Sequence, residues 1–181
     1  PWNDRATVAV YPAFAVSELI LPGHLVGALL AGALFILNSL RVHGWYTLGI
    51  WQKPLLWSLF ASFVMINLGL LMRTLAAVTA VGELLPIHAY AVGGIGIVTL
   101  SMMARVTLGH SGRNVHQAPP ITTVLLGGMV LTALIRVLMP LVDPLHYRTW
   151  IAISGVTWIL SFLVFAILFI PMLVGRRADG K

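Results

Sequence analysis

The chain has no cysteine among its 181 residues, and only 9% of them are charged. The missing thiols exclude disulfides, Cys-X-X-Cys-His haem attachment, cysteine-ligated iron–sulfur clusters and blue-copper sites. Any metal or haem must then be held by His, Met, carboxylate or backbone. A soluble domain carries about 25% charged residues, whereas here hydrophobic residues reach 59% and the mean hydropathy is +0.96. The composition is that of an integral membrane protein. Acids are scarcest: five Asp and Glu stand against 11 Lys and Arg. The resulting charge of +6 forms no basic stripe interleaved with aromatics, so the partner is the lipid bilayer and not nucleic acid. No carboxylate pair, nucleophile–base pair or phosphate-binding loop stands out, and no catalytic residue is nominated.

A transmembrane helix needs about 20 mostly apolar residues. Five segments qualify, at about 20–40, 54–76, 86–108, 121–142 and 150–174. They predict an all-α membrane protein, a single polytopic bundle of about five transmembrane helices over 1–181. Residues 1–19 read as a loop or interfacial piece. Pro54, Pro86 and the Pro119-Pro120 pair stand near span starts, and Gly44, Gly109 and Gly175 near span ends. Five spans put the termini on opposite sides. Arg41, Lys53, Arg113, Arg176, Arg177 and Lys181 gather on one side, Arg5 and Arg148 on the other. The positive-inside rule then places the C-terminus in the cytoplasm and Pro1 outside. The chain opens at Pro1 with neither an initiator Met nor signal-peptide features, which leads us to expect the C-terminal portion of a longer polytopic protein.

Ionisable residues in a span are costly and usually have a reason. His24 and His88 fall roughly 3–6 Å below the outer surface of their spans. Arg73 and Arg136 fall near the same level on the second and fourth spans. His110, about 33 Å along the helix from His88, must serve a different site. Helical phase groups His24, Gly27, Ala28, Ala31 and Asn38 on the first span. It groups Ser58, Ser62, Gly69 and Arg73 on the second, and His88, Ile95, Thr99 and Val106 on the third. Met129, Thr132 and Arg136 align on the fourth, and Trp150, Ser154, Thr157 and Ser161 on the fifth. These seams belong inside the bundle. Two readings stand side by side. Histidines at matched depth suit haem or copper, with arginines pairing haem propionates. Alternatively the histidines are interfacial and the arginines snorkel. Glu18 or Glu83 could balance an arginine, and His43, His116 and His146 read as loop residues.

The run His88-Ala89-Tyr90-Ala91-Val92-Gly93-Gly94-Ile95-Gly96, followed by Met102-Met103-Ala104-Arg105-Val106-Thr107-Leu108-Gly109-His110-Ser111-Gly112-Arg113, resembles the signature of the NnrS family. Gly44-Trp45 and Pro54-Leu55-Leu56 are similar to a second landmark of that family. The resemblance implies a multi-pass protein of the bacterial inner membrane that responds to nitric oxide and binds haem, with copper as a further metal. It implies importance for His88, Arg105, His110 and Arg113 without assigning ligand roles. His88 and His24 are the candidate ligands, with Arg73 and Arg136 as propionate partners. Further ligands could come from absent N-terminal helices or homo-oligomer partners. The alternatives are half of a transporter or channel, for which Gly93-Gly94-Ile95-Gly96 could break a helix at mid-membrane, and a structural membrane subunit.

Overall fold

The computed structural model describes residues 2–79 and 81–178. Pro1 and Lys181, used above for topology, lie outside the described residues. Six helices follow one another: α1 Trp2–Ile20, α2 Leu25–Trp45, α3 Pro54–Ala76, α4 Leu84–His110, α5 Pro120–Val142 and α6 Tyr147–Val174. A short 3-10 helix, Leu48–Gln52, joins α2 to α3, and a second, Pro144–His146, leads into α6. Helices α2 to α6 are long and apolar enough to cross a membrane.

Helix α1 corrects the reading of residues 1–19 as a loop or interfacial piece. Asn3, Thr7, Tyr11, Phe14 and Glu18 recur at helical spacing and face the bundle. Asn3 Nδ2 donates to the Leu37 carbonyl (3.0 Å), and Thr7 is buried. Asn38 Nδ2 donates to the Tyr11 hydroxyl (2.9 Å). Phe14 packs on Ala31, Leu34 and Leu70. Arg41 pairs with Asp4 at 2.5 Å. These contacts lay α1 antiparallel along α2, so Arg5 sits at the Arg41 end and not the opposite one. The start of α1 and the end of α6 consequently share one end of the bundle: the Ala178 N–H donates to the Ser111 carbonyl (2.9 Å).

The first span also moves, from 20–40 to Leu25–Trp45. Pro22 and Gly23 look apolar in a hydropathy window, but Gly23 has φ +77° and turns the chain between α1 and α2. Gly44 therefore lies within α2 and Gly109 within α4, while Gly175 does cap α6. Four of the five seams are buried at most of their positions: Gly27, Ala28, Ala31 and Asn38 on α2; Ser58, Ser62, Gly69 and Arg73 on α3; Met129 and Thr132 on α5; Ser154 and Ser161 on α6. Of their other members Arg136, Trp150 and Thr157 are half-buried and His24 is exposed.

Helix α4 is the exception. Residues Ala89–Gly96 form a π-helix, with backbone bonds that skip one residue more than in an α-helix. The wider turn delays the helical phase, so the buried residues are Gly96, Leu100 and Thr107. Each is one position beyond Ile95, Thr99 and Val106, which are exposed. The break at Gly93–Gly96 that a transporter half could use does not occur; the helix stays continuous with negative φ throughout. In lipid, helix association gains little from apolar burial itself, so close approach and hydrogen bonds matter more. The glycines supply the approach. A Cβ on Gly93 would stand 2.7 Å from Met65 Cβ, and one on Gly94 2.5 Å from Ile66 Cγ1. Further along, the Ser58 and Ser101 hydroxyls bond across α3 and α4 at 2.8 Å.

Candidate functional site

The arginines of α3 and α5 lie at the same end of the bundle but in separate surroundings. Arg73 is 9% exposed and its guanidinium is fully occupied on two sides. Nε donates to Glu18 Oε1 (2.9 Å), Nη2 lies 2.7 Å from the same oxygen, and Nη2 also donates to the His24 carbonyl (3.0 Å). Of the two acids considered as counter-ions, Glu18 is the one used. Gly27 makes room for the pair, since a Cβ there would collide with Glu18 Oε1 and stand 3.0 Å from Arg73 Nη2. His24 is exposed. Instead of lying within a span, it caps α2, where its Nδ1 accepts from the Val26 N–H (3.3 Å).

His88 keeps different company. It ends the first α-helical segment of α4, immediately before the π stretch. The residue is half-buried and its Nδ1 is buried with no hydrogen-bond partner among the described residues. Its imidazole lies within electrostatic reach of the Arg136 guanidinium. Arg136 Nη1 donates to the Ile151 carbonyl (3.0 Å) and to Ser154 Oγ (3.2 Å), whereas its Nε is buried and has no partner among the described residues. Val92, Arg136, Ser154 and Trp158 line a cavity of about 350 Å³. The four nominated residues thus sort into two groups, His24 with Arg73 through a backbone carbonyl and His88 with Arg136 through space.

At the other end, Arg105-Val106-Thr107-Leu108-Gly109-His110-Ser111-Gly112-Arg113 is a helix stop. Gly112 has φ +72°, and the Arg113 N–H reaches back to the Leu108 carbonyl (2.9 Å), the left-handed cap that favours glycine. Arg105 and His110 are exposed, and Arg113 is half-buried, its Nη1 without a hydrogen-bond partner among the described residues. His43 and His116 are exposed. His146 Nδ1 bonds the Asp143 carboxylate (2.9 Å), which also accepts from Trp150 Nε1 (3.2 Å). The His146 bond holds the Asp143 carboxyl below the usual carboxylate range against the opposing effect of desolvation, with a smaller contribution from Trp150. No three of His, Asp and Glu converge as a metal-binding set among the described residues.

Five apolar helices, a sixth less apolar helix laid against them and ionisable side chains held within their ends define a polytopic α-helical membrane protein. A family model described as NnrS protein matches residues 1–177, nearly the whole chain and more than the signature alone covers. The chain belongs to the NnrS family. No match was found among curated proteins or solved structures.

Proposed function

We propose that this protein is a haem-binding protein of the bacterial inner membrane that acts in the response to nitric oxide. The observation that carries the reading is a pair of orphaned buried atoms, His88 Nδ1 and Arg136 Nε. A buried polar group without a partner costs roughly 1–3 kcal/mol, and a bound group that satisfies both removes that cost. Haem would offer each side chain a partner: its iron takes an axial imidazole, and a propionate suits the open edge of a guanidinium. When bound, haem iron supplies the position at which nitric oxide coordinates. His88 is the ligand candidate of first rank and Arg136 its propionate partner. For His24 to serve as a second ligand, its ring must release the Val26 N–H. Arg73 is already neutralised by Glu18, so its part is to hold α1, α2 and α3 together. No three of His, Asp and Glu converge among the described residues, and copper stays the further metal that the family resemblance implies.

The sidedness follows from charge. Arg5, Arg41, Lys53, Arg113, Arg176 and Arg177 crowd one end of the bundle, and Arg148 is the exposed arginine at the other. The positive-inside rule puts the crowded end, with the C-terminal tail, in the cytoplasm. The His88–Arg136 group then lies toward the periplasm.

The test is an absorption spectrum of the full-length protein purified from membranes. Wild type is expected to show a Soret band that moves on adding nitric oxide. His88→Ala is expected to lose or shift that band, and Arg136→Leu to retain haem roughly tenfold more weakly. A wild-type protein without the band, or a His88→Ala spectrum identical to wild type, overturns the assignment.

A further inference from the structure

A second cavity, of about 400 Å³, opens at the Arg73 end between α1, the turn that follows it, α3 and α4. It shares no lining residue with the His88–Arg136 group. Phe14, Pro22, Pro86 and Ile87 give it apolar walls, and Glu18, Arg73, Glu83 and Tyr90 its polar points. Because Glu18 and Arg73 neutralise each other, the balance is set by Glu83. That residue is exposed at the mouth and makes no hydrogen bond or ion pair among the described residues. The cavity is left with one negative charge and no free cation, which disfavours an anion such as a phosphate headgroup.

The unused hydrogen-bonding capacity defines what fits. Tyr90 has a buried hydroxyl with no partner among the described residues, within electrostatic reach of Tyr11, Glu18 and Arg73. Its ring is held against α3 where Gly69 leaves space; a Cβ there would stand 2.5 Å from Tyr90 Cε1. One O–H donor thus belongs to a residue of the cavity wall, where it is buried, and one carboxylate acceptor stands at the exposed side, with apolar surface between. A neutral ring that accepts at one edge and donates at the other satisfies both. Pockets of this size and polarity commonly hold small molecules.

We propose that this cavity binds the headgroup of a membrane quinol. One ring oxygen accepts from the Tyr90 hydroxyl, the other hydroxyl donates to the Glu83 carboxylate, and the hydrocarbon tail runs into the bilayer. The oxidised quinone lacks the second donor and is bound more weakly.

The experiment uses the full-length protein in phosphatidylcholine nanodiscs free of endogenous quinone. Decylubiquinol, kept reduced under anaerobic conditions, is titrated by equilibrium dialysis. Saturable binding is expected, with decylubiquinone weaker. Tyr90→Phe and Glu83→Ala are each expected to weaken decylubiquinol roughly three- to tenfold, the worth of one hydrogen bond. His88→Ala is expected to bind it as wild type does, which separates this proposal from the haem reading. The proposal is overturned if both cavity variants bind with wild-type affinity, or if quinone binds as tightly as quinol. It is also overturned if decyltrimethylammonium displaces the quinol at lower concentration than quinol itself binds, which marks a site for organic cations.

Discussion

Glu18→Gln keeps the shape of the side chain and removes the charge that faces Arg73. The guanidinium is 9% exposed, Glu18 is its counter-ion among the described residues, and the Glu18 side chain is 28% exposed. Removing one partner of a buried pair costs about 3–5 kcal/mol, chiefly because the remaining charge is stranded. The partial exposure of Glu18 favours the lower end, about 3 kcal/mol, or over a hundredfold in the folded-to-unfolded ratio. Glu18→Met combined with Arg73→Met removes the stranded charge and is expected to recover most of that loss. The assay is equilibrium unfolding of the detergent-solubilised protein, followed by helical circular dichroism. A Glu18→Gln midpoint within about 0.5 kcal/mol of wild type, or a double variant no more stable than the single one, would refute the assignment of this pair as the clamp on α1.

Two further outcomes follow from local geometry. Gly93→Ala drives a Cβ onto Met65 Cβ, an atom with no freedom to swing aside, and is expected to destabilise by about 1–3 kcal/mol. Gly155→Ala, with nothing within 4 Å of its added methyl, is expected to stabilise by up to about 1 kcal/mol through helix propensity; equal shifts in the same unfolding assay would contradict this contrast. Asp143 lies between spans with its carboxyl held below the ordinary range by His146. It therefore contributes stability that is present above the unfolded pKa of about 4 and lost as pH falls through the lower folded value. Asp143→Asn should flatten the acid-side decline in Tm below about pH 4, and an unaltered decline would count against the bond.

The spans were legible because a bilayer imposes a length and a composition that few other settings require. The Glu18–Arg73 pairing was legible as one of two options, since charges in apolar surroundings must find each other. Helix α1 escaped notice because hydropathy weighs Asp4, Arg5, Pro12 and Glu18 against a span, although the polar residues at 3, 7, 11 and 18 already trace one helical face. The Pro22-Gly23 pair signalled a turn that the apolar run around it concealed. On α4 the phase was misread by one residue, because no local propensity announces where a helix widens. Family resemblance reached the signature but not the partition of its neighbours, which depends on which helix each side chain meets.

The widened turn of α4 has a consequence for how this helix tolerates change in length. Its downstream buried face lies one position later than an unbroken α-helix allows. Deleting a single residue between positions 89 and 96 would let the segment tighten into ordinary α-helix while Leu100 and Thr107 still met their neighbours. The same deletion in the middle of α3 would swing every later side chain by about 100°, a full helical step of 3.6 residues per turn, and carry Arg73 away from Glu18. Helix α4 therefore holds one residue in reserve, set between the imidazole at its entrance and the long rigid rod that follows.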